Sequence, residues 1–243
     1  MTLPVFLGPV TGAAVGDRVV VEGDEARHAV VVRRIRVGEE VLLVDGSGCA
    51  ATCAVTGTSK STLVAAVLAV VVTPAPLPSV TVVQAIPKGD RGELAVEVLT
   101  EIGVDRIVPW AAARSVGVWR GERAAKSLAR WRSAAREAGK QSRRSWLPEV
   151  TPMATSAEVA VLLEGADLAV VLHEAASAPM SGLPLDGIDS IVVVVGPEGG
   201  ISEEELTGFG AAHVVRMGES VLRTSTAGVA AVAALLSRTS RWG

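Results

Sequence analysis

The chain has 243 residues, of which 49% are hydrophobic, with a mean hydropathy of +0.42 and a net charge of −3 at pH 7. This length and composition exclude a disordered protein and predict a globular one with one large core or two smaller ones. The longest apolar run, Ala65–Val72, is far shorter than the roughly 18–20 residues that span a bilayer, and Met1–Val10 lacks the features of a secretory signal, so we expect a cytoplasmic protein with no membrane partner.

The chain up to about residue 72 consists of short β-branched runs separated by turns. The predicted strands are Arg18–Glu22, Glu40–Asp45 and Leu63–Val72. The sequence Asp45-Gly-Ser-Gly48 predicts a hairpin turn between two of them, and several strands at this spacing indicate a small β-barrel.

A helix is predicted between these strands, over Asp24–Arg36, with Asp24 as its cap. Three arginines end this segment: Arg33, Arg34 and Arg36. Two roles stay open for them, namely contacts with RNA phosphates or a charged helix end in water.

Cys49 and Cys53 are the two cysteines, and the chain has three histidines. These residues are too few for a closed zinc site without carboxylates, and nothing else clusters near the cysteine pair. We therefore predict two small residues in or beside a strand, and no metal.

Three prolines alternate between Val72 and Ser79, which fixes an extended conformation that is typical of a linker. The sequence thus predicts a first domain of residues 1–72, a linker of residues 73–79 and a second domain of residues 80–243.

The second domain alternates strands with helices. The predicted strands are Val80–Ile86, Arg106–Pro109, Leu168–Leu172, Ser190–Val195 and His213–Arg216, and two of the predicted helices are Lys88–Gly103 and Ala227–Ser237. Because the strands are continuously apolar, we predict an α/β fold with a mostly parallel sheet that is covered on both faces. The final helix is rich in small residues and is expected to pack closely against a large neighbour.

A strongly basic segment runs from Arg114 to Arg144, with ten basic residues against two acidic ones. On a helical wheel, Ala124, Leu128, Trp131, Ala135 and Ala138 share one arc, and Arg123, Lys126, Arg130, Arg132, Arg136 and Lys140 cover the rest. A solvated helix usually mixes charges, so this composition favours contact with RNA or DNA. The aromatic content of 3%, with no tyrosine, favours a structured nucleic acid over a free strand.

The glycine-rich segment Gly196–Gly200 follows a predicted strand, but its spacing fits neither the dinucleotide nor the triphosphate motif. Ser202 and Glu205 complete a capping box, and the acidic helix start would repel phosphate, so the ligand should be neutral or cationic there. Two more loops, Leu172–Ala175 and Met217–Gly228, also follow strands. Loops at the carboxyl ends of neighbouring strands form the ligand site of an open α/β sheet.

Segments along the whole chain match one family pattern in the same order. They are His28–Arg33, Asp45–Gly46, Lys88–Arg91, Glu97 with Glu101–Val104, Arg114–Ser115, Gln141–Pro148, Gly196–Glu205, Met217–Gly218, and Val221–Thr224 with Thr226–Ala227. The chain thereby resembles the RsmE-type ribosomal RNA methyltransferases of the SPOUT class. This resemblance implies a PUA-like N-terminal β-barrel, an α/β domain with a deep trefoil knot, and a homodimer with the final helix at or near the contact.

The resemblance also implies that the protein binds S-adenosylmethionine in the knot and methylates N3 of a uridine in the decoding region of 16S rRNA. The substrate is either free 16S rRNA or the small ribosomal subunit. Two other functions stay open. One is another SPOUT methyltransferase that acts on a ribose 2′-hydroxyl or on tRNA, and the other is a non-catalytic RNA-binding assembly factor.

The candidate site residues fall into three groups, of which the cofactor contacts are carried over from the family pattern. The cofactor contacts are Leu172, Gly196, Glu198, Gly200, Met217, Gly218, Ser220, Leu222 and Thr226. The candidate RNA contacts are His28, Arg33, Arg34, Arg36, Arg91, Arg114, Arg130, Arg136, Arg143 and Arg144. Arg223 is the candidate for stabilising the uridine anion, with an ion pair as its alternative role. Glu198 is the candidate proton relay, with backbone contacts as its alternative.

One position departs from the family pattern, since Ser225 stands where a glutamate is expected. This serine weakens any mechanism that needs a carboxylate there.

Overall fold

The structure is a computed structural model that describes residues 2–89, 91–117 and 119–242. Its contacts divide the chain into two compact units: Met1–Ala75 with Gly139–Leu147, and Pro76–Ala138 with Pro148–Gly243. Asp90, which is part of the Lys88–Arg91 segment and of the predicted Lys88–Gly103 helix, lies outside the described residues. Within the described ranges, no helix is both long and apolar enough to cross a membrane.

The first unit is built on a five-stranded sheet of order β1-β3-β4-β5-β2. Its strands are β1 Val5–Leu7, β2 Arg18–Glu22, β3 Glu40–Val44, β4 Cys49–Ser59 and β5 Thr62–Val72. Strand β1 pairs parallel with β3, and the other pairs are antiparallel. Alternate residues point into one core that contains Phe6, Leu43 and Leu63. The three predicted strands are confirmed, whereas β4 was not predicted as a strand.

The predicted hairpin turn at Asp45 is present, but it joins β3 to the unpredicted strand β4 and does not join two of the predicted strands. The Asp45 carboxylate accepts hydrogen bonds from the backbone N–H of Ser47 at 2.7 Å, from that of Cys49 at 3.0 Å and from the Thr11 hydroxyl at 2.7 Å. Cys49 and Cys53 lie buried in β4 as free thiols, as predicted. Burial raises the pKa of the Cys53 thiol to about 11, which makes it a structural rather than a reactive cysteine.

The predicted helix over Asp24–Arg36 is wrong in its extent and in its cap. Helix α1, Gly23–Arg27, has Glu22 as its N-cap without a side-chain cap bond, and Asp24 lies in its first turn. A π-helical turn, His28–Val32, follows and ends before Arg33. The run of β-branched valines in this turn disfavours a continued α-helix, so the three arginines follow the helix and do not form its end.

The second unit is built on a parallel six-stranded sheet of order β11-β9-β10-β6-β7-β8. Its strands are β6 Ser79–Ala85, β7 Arg106–Trp110, β8 Glu149–Val150, β9 Leu168–Leu172, β10 Ser190–Val195 and β11 His213–Val215. Its helices are α2 Arg91–Glu101, α3 Glu122–Gln141, α4 Ser156–Glu164, α5 Glu203–Gly208 and α6 Thr224–Leu236, with a 3₁₀ turn at Met180–Gly182. The last three residues of α3, 139–141, belong to the first unit.

Both faces of this sheet are covered, which confirms the predicted α/β fold. In β10, Ile191, Val193 and Val195 belong to the core on one face, and Val192 and Val194 belong to the core on the other. Burial on both sides explains why the strand sequences are continuously apolar. Helix α6 starts three residues before its predicted start and packs against α2 and the strands β6 and β10.

The basic helix is confirmed as α3, and its apolar side is buried at Trp131, Ala135 and Ala138. On the opposite side, Arg123, Lys126, Arg130, Arg132 and Arg136 are exposed. The prediction that Lys140 lies on this exposed cationic face is wrong. Its side chain is 6% exposed, and its Nζ lies 3.1 Å from both carboxylate oxygens of Glu25, because the segment Gly139–Leu147 belongs to the first unit.

Candidate active site

A cavity of about 490 Å³ opens at the carboxyl ends of neighbouring strands in the second unit. It is lined by residues of three loops, those that follow β9, β10 and β11, together with Arg91 at the start of α2. The volume lies within the range of about 300–1,000 Å³ that is typical of small-molecule sites. The predicted arrangement of three loops at one edge of the sheet is therefore present in the fold.

All the predicted cofactor contacts except Thr226 line this cavity: Leu172, Gly196, Glu198, Gly200, Met217, Gly218, Ser220 and Leu222. Thr226 is absent from the lining, and its hydroxyl donates to the Arg223 carbonyl at 3.3 Å. Arg223 itself lines the cavity. The structure thus brings together residues that are about fifty positions apart in the sequence.

The glycine turn after β10 presents bare backbone to the cavity. Gly200 has a φ of +74°, and its N–H donates to the Pro197 carbonyl at 2.9 Å, which closes the turn. A Cβ at Gly196 would lie 2.7 Å from the Ile201 side chain, closer than such atoms can approach. Both positions therefore require glycine, and the exposed amides and carbonyls suit a ligand that is bound by backbone groups.

The capping box predicted at Ser202 and Glu205 is present at the start of α5. Glu205 also makes contacts that the sequence did not indicate, since its Oε1 accepts hydrogen bonds from the Ala113 N–H and the Ser156 hydroxyl, both at 2.8 Å. Burial alone would raise the pKa of this carboxyl, but the hydrogen bonds outweigh burial and hold the pKa below its ordinary value. Glu205 is thus an ionised anchor beneath the glycine turn.

Charges of both signs surround the cavity. The lining includes three cations, Arg91, Arg216 and Arg223, and three acids, Glu174, Glu198 and Glu219. Among the described residues, no carboxylate forms a salt bridge with Arg223. Glu198 Oε1 accepts a hydrogen bond from the Lys88 backbone N–H at 3.3 Å. Among the residues that the structure describes, no group of three or more His, Cys, Asp or Glu residues is arranged to bind a metal.

Two predicted RNA contacts lie at the cavity or beside it. Arg91 lines the cavity because it begins α2 directly after β6, the neighbour of β10 in the sheet. Arg114 Nη1 donates to the Gly199 carbonyl at 3.4 Å, beside the glycine turn. The sequence offered no signal for these placements, because they depend on the spatial order of the strands.

The other predicted RNA contacts lie away from the cavity lining. In the first unit, Arg33, Arg34 and Arg36 are exposed, and His28 packs edge-to-face on Phe6 with ring centroids 6.0 Å apart.

Two of the remaining arginines lie in the Gly139–Leu147 segment. Arg143 Nη2 donates to the Leu3 carbonyl at 3.0 Å, and the Arg144 N–H donates to the Gly139 carbonyl at 2.9 Å. On α3, Arg130 lies 3.5 Å from Glu93 in an exposed ion pair, and Arg136 is exposed.

Comparisons with known proteins agree with this arrangement. The family model described as an RNA methyltransferase domain matches residues 73–236, and the one described as an RNA methyltransferase PUA domain matches residues 21–68. The chain is similar to ribosomal RNA small subunit methyltransferase E of Mycobacterium bovis, with 44% identity over 96% of this chain and 90% of that protein. The Bacillus subtilis protein of the same name is 31% identical, over 90% of each chain.

Solved structures give the same result. A ribosomal RNA small subunit methyltransferase E from Neisseria gonorrhoeae, bound to S-adenosyl methionine, matches with a TM-score of 0.86 and 30% identity over 97% of this chain and 98% of that one. A methyltransferase of Legionella pneumophila in complex with the cofactor SAM matches with a TM-score of 0.88 and 25% identity, over 98% of each chain. Sequence and fold agree over nearly the whole length, and the chain therefore belongs to the ribosomal RNA small subunit methyltransferase E family.

Proposed function

We propose that this protein transfers the methyl group of S-adenosylmethionine to N3 of a uridine in 16S rRNA. The observation that carries the proposal is the cavity formed by the loops after β9, β10 and β11, in a chain of this family. Its relative from Neisseria gonorrhoeae is bound to S-adenosyl methionine. A ribosomal substrate places the reaction in the cytoplasm.

The residues of the cavity fit this cofactor. Leu172, Met217 and Ala227 offer apolar surface for a flat base, and the glycine turn offers backbone amides and carbonyls. The acids of the lining suit a cationic ligand. When bound, S-adenosylmethionine supplies a methyl group on a positively charged sulfur.

The protein's part in the reaction is alignment and charge stabilisation. N3 of uridine carries a proton at neutral pH and must lose it before it can attack a methyl group in line. A cation at the cavity stabilises the uridine anion that forms, and we assign this task to Arg223. Glu198 is the candidate proton relay, since its contact with the Lys88 N–H holds its carboxylate at the cavity. Ser225 is buried in the first turn of α6, so this position contributes a hydroxyl and no carboxylate.

We further propose that residues 1–72 act as the RNA-binding domain and residues 80–243 as the catalytic domain, joined by residues 73–79. The match of residues 21–68 to an RNA methyltransferase PUA domain supports this division. In the first unit, the exposed arginines Arg33, Arg34 and Arg36 supply positive charge for rRNA phosphates.

A trefoil knot and a homodimer, both implied by the family resemblance, belong to the same proposal. The partly exposed residues of α6 are small, including Val229, Ala230 and Ala233, and would allow a close contact between two copies. Sedimentation equilibrium across a range of protein concentrations tests the dimer.

The activity is tested with three substrates, namely 16S rRNA, assembled small subunits and tRNA, from a strain that lacks the family enzyme. Each is incubated with the protein and isotopically labelled S-adenosylmethionine, and the nucleosides are identified by mass spectrometry. We expect label in N3-methyluridine at one site. Label in a 2′-O-methylated nucleoside or in tRNA would instead support another methyltransferase of the class, and absence of cofactor binding at millimolar concentration would support a non-catalytic RNA-binding protein.

A further inference from the structure

Gln84 is a polar residue buried at the carboxyl end of β6, with 1% of its surface exposed. Its side-chain Nε2 donates hydrogen bonds to the Ala85 carbonyl at 3.1 Å and to the Thr224 carbonyl at 3.2 Å. The strand around it is otherwise mostly apolar, and burial of an amide is unfavourable unless the amide is hydrogen-bonded. The two contacts therefore offset the cost of placing a glutamine here.

These contacts join two chain segments that border the cavity. Ala85 ends β6, and the chain then leads to Arg91 at the start of α2. Thr224 starts α6 and directly follows Arg223. Both arginines line the cavity. The hydrogen bond from Gln84 to Thr224 therefore links the strand that leads towards Arg91 with the helix start that follows Arg223.

The start of α6 has no side-chain cap. Arg223 is the N-cap residue, and its side chain makes no cap hydrogen bond. Its carbonyl accepts hydrogen bonds from the N–H groups of Thr226 and Ala227, both at 2.9 Å, which fixes the turn within the helix. The hydrogen bond from Gln84 to Thr224 then ties this turn to the sheet across 140 positions of sequence.

We propose that Gln84 is a positioning residue for the methyl transfer: by tying Thr224 to β6 it places Arg223 relative to the sheet edge from which the chain leads to Arg91. The inference rests on the proposed function, because it assigns these arginines to the uridine. Gln84 itself lies outside the cavity lining and acts only through the backbone segments that it joins.

The test uses Gln84→Met, which keeps the volume but removes the donor, and Gln84→Glu, which keeps the shape. Displacement of aligned groups by about 1 Å can cost on the order of 100-fold in rate, so we expect kcat to fall about 10- to 100-fold. The Kd for S-adenosylmethionine and the KM for rRNA should stay within about threefold of wild type.

A double-mutant cycle with Arg223→Lys separates positioning from a general loss of stability. If Gln84 acts through Arg223, the effects of Gln84→Met and Arg223→Lys on kcat will be non-additive. Thr100→Val is the matched control, because Thr100 is also fully buried in the second unit and its hydroxyl donates to the Val96 carbonyl at 2.7 Å within α2. Additive effects in the cycle, or a kcat of both Gln84 variants within threefold of wild type, would overturn the proposal.

Hydrogen exchange provides a readout that needs no substrate. In Gln84→Met, the amides of Thr226 and Ala227, which donate to the Arg223 carbonyl, should exchange faster, whereas Thr100→Val should leave them unchanged. Unchanged exchange in Gln84→Met overturns the positioning role whatever the substrate is. Faster exchange in this variant, combined with a wild-type protein that fails to methylate 16S rRNA, would contradict the proposed function instead.

Discussion

At the residue scale, Arg223 is the side chain on which the proposed chemistry most depends, because it lines the cavity next to the start of α6. Replacement by alanine removes the cation to which we assign stabilisation of the uridine anion, so Arg223→Ala should lower kcat by about 100- to 1,000-fold. The affinity for S-adenosylmethionine, measured by calorimetry, should change little if backbone groups of the loops hold that ligand, as we propose.

Arg106 offers a control for this experiment. It begins β7 at the amino end of the sheet, opposite the edge with the cavity, and forms an exposed ion pair with Glu149 at 3.0 Å. Arg106→Ala should retain nearly full activity. Equal rates for Arg223→Ala and Arg106→Ala would show that Arg223 takes no part in the reaction.

Glu205 allows a prediction about stability, since its pKa is held below the ordinary value by hydrogen bonds despite its burial. Loss of the charged acceptor leaves the Ala113 N–H and the Ser156 hydroxyl with a weaker partner, so Glu205→Gln should lower the free energy of unfolding by about 1–3 kcal/mol at pH 7.

The pH dependence of this effect has a defined sign. A carboxyl whose pKa is lower in the folded state stabilises the fold above the unfolded pKa, about 4.3 for glutamate, and loses this contribution as the pH falls through the folded pKa. Urea unfolding from pH 7 to pH 3 should therefore show the difference between wild type and Glu205→Gln shrinking below about pH 4.3. Glu203→Gln, an exposed change in the same helix turn, should have little effect on the free energy of unfolding at either pH. If the difference in this free energy between wild type and Glu205→Gln stays constant with pH, the charge of Glu205 does not stabilise the fold.

At the scale of helices and strands, the most accurate sequence predictions are those for elements with a uniform environment. Strands β9 and β10 have the predicted bounds, because burial on both faces gives a continuous apolar run. Strand β4 was missed because its small alanines and threonines carry a weak alternation, although alternate residues are buried. The valines of His28–Val32 disfavour a continued α-helix, but no local signal specifies a π-helical turn in its place.

In the candidate site, too, only the features with a local sequence signal were predictable. Its three loops were predictable, because glycines and polar residues follow apolar strands at each one. The place of Arg91 was not, because only the spatial order of β10 and β6 brings α2 to the cavity. The hydrogen bond between Gln84 and Thr224 joins residues 140 positions apart, a separation over which sequence pattern carries no information.

Helix α3 allows a prediction for a whole element. Its exposed side carries Arg123, Lys126, Arg130, Arg132 and Arg136. If this side contacts rRNA, the double variant Arg130→Glu with Arg136→Glu should weaken RNA binding, and the slope of log K against log salt should fall by about 0.7–0.9 for each phosphate that the variant no longer neutralises.

Filter binding at several salt concentrations measures both quantities. The double variant Arg33→Glu with Arg34→Glu applies the same charge change in the first unit and shows whether that unit also contacts RNA. Cofactor affinity serves as the control and should not change in either variant. Unchanged RNA affinity and slope would assign the charge of α3 to solvation alone.

At the scale of the whole molecule, the first unit is discontinuous in sequence. Segment Gly139–Leu147 belongs to it although the chain of the second unit lies on both sides. The Ser145 carbonyl accepts a hydrogen bond from the Gly48 N–H at 3.0 Å, and Trp146 Nε1 donates to the Thr73 carbonyl at 2.9 Å. The proline-rich stretch therefore marks only one of the places where the chain passes between the units, and sequence pattern alone has no means to indicate the others.

The ion pair between Lys140 and Glu25 is a largely buried contact of this segment with the rest of the first unit. Glu25 Oε1 also accepts a hydrogen bond from the Leu7 N–H at 3.0 Å, which links the pair to β1. Removal of one partner from a buried pair costs about 3–5 kcal/mol, and because the Glu25 side chain is 21% exposed we expect about 3 kcal/mol for Lys140→Met.

Hydrogen exchange resolves where this destabilisation occurs. In Lys140→Met, amides of β1, β2 and β5 should exchange faster by about the factor that corresponds to 3 kcal/mol, roughly 100-fold, whereas amides of β6 and β10 should keep their protection. Arg136→Met, an exposed change one helical turn earlier, should leave both sets unchanged. Equal protection of the first unit in Lys140→Met and wild type would show that the pair of Lys140 and Glu25 does not stabilise this unit.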